Sequence, residues 1–198
     1  MYFYTNNSPK FADLTKKIHC SHSSALSTEI NADSILKKNL LIIYTGGTLG
    51  MEILPNGTLS IKSTNSLEAK FKNLHEFYDK RYTFLYGDGY FVTKPFGPQR
   101  IFYKIHQYKT LIDSSDSDKE FIMDLANKIR KEYDNYDCFL VIHGTDSMEY
   151  TASAISFMIR NLTKPIFFTG SQVPLALVIN DAYRNLLGVF RILGRFIS

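Results

Sequence analysis

Hydrophobic positions along the chain follow two rhythms. Leu40-Leu41-Ile42-Ile43-Tyr44 and Cys138-Phe139-Leu140-Val141-Ile142 are unbroken apolar runs, the pattern of strands buried on both faces of a sheet. Pro165-Ile166-Phe167-Phe168 is a third. Between Ile101 and Ile112, Ile101, Tyr103 and Ile105 alternate with Phe102, Lys104 and His106, which predicts another strand. Helical spacing separates these runs. Phe121, Leu125, Ile129 and Tyr133 share one face, with Ile122 and Ala126 beside them, and Ser117-Asp118-Lys119-Glu120 reads as a capping box at the start. Further helices are predicted over 147–161, carrying Tyr150, Ala154, Phe157, Met158 and Ile159, and over Asp181–Phe196. The last is rich in Leu186, Leu187, Val189, Phe190, Ile192, Leu193 and Phe196. It reads as apolar over most of its circumference, and so in need of covering on more than one side.

Two stretches resist this reading. Residues 1–37 form a polar leader with little periodicity, expected to be partly disordered. Residues 51–100 show only punctuation: a turn at Pro55-Asn56-Gly57 and breaks at Gly87-Asp88-Gly89 and Phe96-Gly97-Pro98. The remainder, 38–198, reads as one α/β domain, a mostly parallel sheet with helices on both faces. Ligands of such sheets collect outside the carboxyl ends of the strands.

The strand ends therefore carry the chemistry. They are Thr45-Gly46-Gly47-Thr48-Leu49-Gly50, Asp113-Ser114-Ser115-Asp116, His143-Gly144-Thr145-Asp146 and Thr169-Gly170-Ser171-Gln172. Taken singly, each has a structural explanation. Gly46 and Gly47 suit a tight turn, Asp146 suits a helix cap, and Asp113 to Ser117 suit capping as well. Taken together, four polar ends converging on one crevice favour a site.

Elimination narrows its chemistry. Gly46-Gly47-x-x-Gly50 lacks the spacing and the downstream acidic residue of a dinucleotide loop, and no Gly-Lys-Ser/Thr phosphate loop occurs. The five histidines are dispersed, without zinc-ligand spacing. No Gly-x-Ser-x-Gly elbow is present. What remains is a hydroxyl nucleophile with a relay partner. Thr48 lies in a glycine-flanked loop, and Thr145 and Asp146 lie at another strand end. A threonine hydroxyl needs a base or relay to attack. Asp113, Ser114, Ser115 and Asp146 suit the charged ends of a small amino acid.

Composition changes this picture little. With 44% hydrophobic and 21% charged residues the chain has an ordinary globular balance. Its net charge of +4 is thinly spread, which argues against nucleic acid, and the apolar runs are far below the ~20 residues of a membrane span. Two cysteines, Cys20 and Cys138, one in the leader and one opening a strand, do not suggest a disulfide framework and fit a reducing, cytoplasmic setting. No secretory signal is visible, and Asp13 and Glu29 count against a transit peptide.

Thr45-Gly46-Gly47-Thr48-Leu49-Gly50-Met51 and His143-Gly144-Thr145-Asp146-Ser147-Met148 resemble the two motifs of bacterial-type L-asparaginases. Asp113-Ser114-Ser115-Asp116 and Thr169-Gly170-Ser171-Gln172-Val173-Pro174 resemble the cytosolic (type I) and animal branch. The resemblance spans about residues 38 to 190. It implies a flavodoxin-like three-layer domain that hydrolyses L-asparagine to L-aspartate and ammonia, without cofactor or metal. By position, Thr48 matches the attacking threonine. Thr145 and Asp146 match the second threonine and its aspartate, and Asp113, Ser114, Ser115, Thr145 and Asp146 match the substrate-binding set. The resemblance also implies a homo-oligomer in which a neighbour's smaller C-terminal domain completes each site.

Some features depart from the pattern. Asn56-Gly57-Thr58-Leu59 has no lid tyrosine, and Ala182 stands where glycine is usual. The family's catalytic lysine lies beyond the last predicted helix and its C-terminal domain is missing, so the 198-residue chain is expected to be either a fragment or splice form or a product without the full catalytic machinery, nearly inactive by itself and prone to associate. Two other functions stay open: an ammonia-releasing subunit of a tRNA amidotransferase, and a non-catalytic asparagine-binding domain. Nothing in the sequence supports a lipid site.

Overall fold

The computed structural model describes residues 36–60 and 67–196. The leader expected over 1–37, with Cys20, lies almost wholly outside the described residues. The elements in chain order are strands β1 (Leu36–Gly46), β2 (Glu52–Ile53) and β3 (Leu59–Ser60), helices α1 (Leu67–Lys72) and α2 (Lys80–Tyr86), and strands β4 (Phe91–Val92) and β5 (Gln99–Ile112). Then follow α3 (Lys119–Glu132), β6 (Cys138–Ile142), α4 (Met148–Met158), β7 (Ile166–Thr169) and α5 (Asp181–Phe196). The main sheet has the order β4-β5-β1-β6-β7. β1 is parallel to both β5 and β6, β7 is parallel to β6, and β4 is an antiparallel edge strand.

The alternation of side chains along β1 divides the core. Leu40, Ile42 and Tyr44 face one layer with Leu67 and Phe71 of α1 and Ala182, Leu186, Val189, Phe190 and Leu193 of α5. Leu41 and Ile43 face the other, with Leu125, Ala126 and Ile129 of α3, and Ile155 and Ile159 of α4 and its C-cap. Each buried Leu, Ile or Phe contributes about 1.5–3 kcal/mol over an exposed one. A strand covered on both faces needs apolar residues at every position, which is why β1 and β6 read as unbroken runs. This is the α/β arrangement, helices on both faces of a mostly parallel sheet, that the sequence predicts.

Local details differ from the expectation. Asp118, not Ser117, caps α3: its carboxylate accepts the Phe121 N–H at 2.8 Å, a contact of about 1 kcal/mol. Helix α4 buries Thr151 and Ile155, while Tyr150 and Phe157 are 70% and 83% exposed. Tyr150-Ala154-Phe157 and Thr151-Ile155-Ile159 both have helical spacing, and the sheet takes the second stripe. Helix α5 is amphipathic rather than apolar all round, because Arg184, Arg191 and Arg195 line its exposed face. The unassigned stretch 51–100 holds the β2–β3 hairpin, two short helices and the edge strand.

Strand β1 lies between the strands that follow it, β5 on one side and β6 on the other. Within the sheet the chain leaves β1 toward β5 and leaves β6 toward β7, opposite directions that open a crevice at the carboxyl ends of β1 and β6. The loops after β1, β5 and β6 border that crevice.

Candidate active site

Each loop at the crevice is positioned by backbone contact. The β1–β5 register breaks between Tyr44 and Gly46, where Gly46 pairs with Ile112. That brings the loop after β1 against the start of Asp113-Ser114-Ser115. Gly47, at φ 81°, then meets the loop after β6: a Cβ on Gly47 would stand 2.5 Å from the Gly144 Cα. A Cβ on Gly144 would in turn stand 2.4 Å from the Ser114 Oγ. Neither position has room for a side chain. Gly47 precedes Thr48 and Gly144 precedes Thr145, so the two threonines follow a pair of glycines in contact. The two loops sit on the same side of the sheet.

Hydrogen bonds lock the same segments. Ser114, 3% exposed, accepts the Asp146 N–H through its Oγ at 3.1 Å, and its carbonyl accepts from the Ser147 hydroxyl. The Thr45 hydroxyl donates to the Ile142 carbonyl at 3.1 Å. The Leu49 carbonyl accepts from the Leu175 N–H at 3.1 Å. Thr48 opens a single 3-10 turn, Thr48–Gly50, closed by the Met51 N–H on the Thr48 carbonyl. Thr48 and Thr145 are half-buried and Asp146 is exposed, so none of the three is enclosed in the core.

The six residues singled out from the sequence fall into two groups. Thr48, Ser114, Thr145 and Asp146 come from loops in direct contact. Asp113 and Ser115 lie in the same segment as Ser114 but are exposed, and the Asp113 carboxylate accepts from the Ser115 N–H and hydroxyl at 3.1 and 3.0 Å. That carboxylate closes its own turn. Asp146 does not cap α4; Ser147 occupies the cap position.

The structure adds residues that pattern reading left out. The Gln172 side-chain amide donates to the Thr145 Oγ1 at 3.1 Å. The Gln172 and Val173 N–H groups donate to the Asp181 carboxylate at 2.9 and 2.8 Å. Asn185 donates to the Gly170 carbonyl at 2.9 Å. Burial works against the Asp181 charge, but the two N–H groups hold its carboxyl below the ordinary value. Thus α5 braces the loop after β7, and that loop touches Thr145. The signal in the sequence was Thr169-Gly170-Ser171-Gln172 itself; its partner Asp181 carried none.

His143 supports the β6 loop from below. It is 1% exposed. Its Nδ1 lies 2.7 Å from the Gly144 carbonyl, which assigns the proton to Nδ1. Its buried Nε2 has no partner among the described residues. Burial depresses the pKa, opposed by the Gly144 carbonyl and the Glu149 charge. Below an ordinary histidine pKa of about 6.5 the unfolded chain takes the proton first, so stability falls as pH drops toward the depressed folded value. His106 is shifted the same way by burial and adds to the trend. We expect the urea midpoint of the parent to fall more steeply between neutral and mildly acidic pH than that of His143→Gln. Parallel curves would remove His143 as a cause.

Comparison with known proteins agrees with this geometry. The family model described as "Asparaginase, N-terminal" matches residues 39–196. L-asparaginase 1 of Escherichia coli K12 is 36% identical over 160 residues, 81% of this chain and 41% of that protein. The mouse 60 kDa lysophospholipase is 38% identical over 164 residues, 81% of this chain and 28% of that protein. Among solved structures, L-asparaginase I of Vibrio cholerae superposes with a TM-score of 0.62 at 37% identity, covering 79% of this chain and 40% of that one. The chain thus spans less than half the length of these relatives. With the family's fold, its strand-end loops and its sequence match over most of the chain, the protein belongs to the asparaginase family, of whose N-terminal domain residues 39–196 are a copy.

Proposed function

We propose that this site hydrolyses the side-chain amide of L-asparagine to L-aspartate and ammonia, with Thr48 as nucleophile. The observation that carries the proposal is the contact of Gly47 with Gly144, which sets the Thr48 and Thr145-Asp146 loops side by side at the topological switch point. The Thr48 Oγ attacks the amide carbon. The C–N bond breaks, ammonia departs with the proton passed to it, and an aspartyl ester remains on Thr48. Water then cleaves the ester and restores the hydroxyl. Thr145, its oxygen already accepting from Gln172, relays the proton. Asp146 holds the substrate ammonium, and the segment Asp113-Ser114-Ser115 holds the carboxylate end, with Ser114 as its fixed, buried member. No step requires a cofactor.

The same proposal places the reaction on a small-molecule substrate, not nucleic acid or lipid, with residues 38–198 as the catalytic domain of a homo-oligomer. A cytoplasmic location is included. It rests on cysteine usage: the chain has two, and Cys138 is a buried free thiol.

The test is ammonia release by the chain, or by the full-length protein where the chain alone is nearly inactive as expected, compared with the Thr48→Ala variant of the same protein. Release from L-asparagine that depends on Thr48, and that exceeds release from L-glutamine at equal concentration, is the expected result. Saturable asparagine binding with no Thr48-dependent release would favour the binding-domain reading.

A further inference from the structure

Tyr44 is the last side chain of β1 on the α5 face. It is 1% exposed and pairs with Gln107 of β5 and Ile142 of β6. Its ring reaches past the strand end to Gly50, the closing residue of the Thr48 turn. A Cβ on Gly50 would stand 2.0 Å from the Tyr44 hydroxyl oxygen and 2.5 Å from its Cζ. Gly50 has a negative φ, so glycine is required there by the ring and not by the backbone conformation.

Packing alone does not account for the hydroxyl. It is buried and makes no hydrogen bond among the described residues. An unpaired buried hydroxyl is destabilising, which phenylalanine would avoid. Burial and the nearby Glu52 charge keep it protonated. Glu52 is itself paired with Lys70 at 2.8 Å. What the phenol does have is contact: its tip abuts the backbone of the turn. The turn's other attachments are Gly47 against Gly144, Leu49, fully buried, and the Leu49 carbonyl on the Leu175 N–H. The ring supplies the support at its far end.

We propose that Tyr44 is a positioning residue: its phenol is a fixed stop beneath Gly50 that sets where the Thr48 hydroxyl stands in the crevice. The role rests on Thr48 being the nucleophile. Residues that would hold substrate lie on the loops after β5 and β6, not on the turn that the phenol abuts. Moving the turn is therefore expected to affect the chemical step more than binding. A displacement of the order of 1 Å in a reacting group costs roughly 100-fold in rate.

The experiment combines kinetics with methyl NMR of the 198-residue chain labelled at threonine, Thr48 being assigned by its loss in Thr48→Ser. Tyr44→Leu is expected to shift the Thr48 methyl signal and leave that of the remote, buried Thr93 in place. It should lower kcat by about 10- to 100-fold with KM within about threefold. Gly50→Ala should shift the same methyl, because its Cβ meets the ring. Tyr44→Leu/Gly50→Ala should move it back toward the parent position, the new methyl filling the space the ring left. Tyr44→Phe, which keeps the core filled, should give a smaller shift in the same direction. An unmoved Thr48 methyl in both Tyr44→Leu and Gly50→Ala would overturn the proposal. So would single-variant shifts that simply add in the double variant. If neither the chain nor the full-length protein releases ammonia, the assigned reaction fails, while the methyl shifts still decide whether Tyr44 positions the turn.

Discussion

Thr48→Ala is expected to eliminate ammonia release from L-asparagine, a loss on the order of 10⁴-fold or more, as when a nucleophile is removed from a site that acts as a unit. The neighbouring hydroxyls are poorly placed to substitute. Thr45 is 1% exposed and commits its proton to the Ile142 carbonyl. Ser114 is buried and accepts the Asp146 N–H. Thr48 is only half-buried, at the head of a turn. The turn is held by backbone contacts through Gly47 and Leu49, so removing the hydroxyl should change the urea midpoint by no more than about 0.5 kcal/mol in stability. Ammonia assays and urea unfolding on the same preparation separate the two effects. Release undiminished in a folded Thr48→Ala protein would assign the nucleophile elsewhere.

Thr145→Val is expected to lower kcat by about 10²- to 10³-fold, in the range of a lost acid–base group. Valine keeps the β-branched shape, and the contact of Gly170 with the Thr145 methyl, 3.2 Å from a Cβ built there, survives. The Gln172 amide loses its acceptor, but Gln172 is exposed and water replaces the lost partner at little cost. The loss is therefore one of proton transfer, not of folding. Thr48→Ala/Thr145→Val should be no slower than Thr48→Ala alone, because relay and nucleophile act in one step. Independent, multiplying losses would contradict a shared step.

The sequence and the structure agree where burial leaves a period to count. β1 and β6 are central strands covered on both faces, and five consecutive apolar residues in each announce it. The loops after them were legible as strand ends, and so were Thr48, Thr145 and Asp146 as candidates. Residues 51–100 were not, because strands of two residues and helices of six or seven repeat their period at most once, too little for a pattern to stand out. Their places are fixed by distant partners instead. Asp79 caps α2 by accepting from the Tyr82 N–H and pairs with Arg100 at 2.9 Å, and the Thr93 hydroxyl accepts the Ile101 N–H. Faces of α4 and α5 were misread for a related reason. An apolar stripe shows that a helix has a buried side, but the sheet chooses between two stripes, and the three arginines of α5 were outweighed by its apolar count. Contact of Gly47 with Gly144 depends on β1 and β6 being neighbours, a fact of strand order that no local pattern holds. The brace from Asp181 to Gln172 and on to Thr145 is of the same kind. Asp113 illustrates the converse: its carboxylate reads equally as ligand or cap, and in the structure it closes its own turn.

The account stands most directly on the fate of Thr48 during turnover. Mixing the chain, or the full-length protein where the chain alone is nearly inactive, with L-asparagine, quenching rapidly in acid and mapping peptides by mass spectrometry measures it. The peptide containing Thr48 should gain the mass of one aspartyl group, localised to that residue, and the gain should be absent from Thr48→Ala. Ammonia release accompanied by an aspartyl group on Thr145 or Ser114, with Thr48 unmodified, would contradict the assignment of the nucleophile and the mechanism built on it.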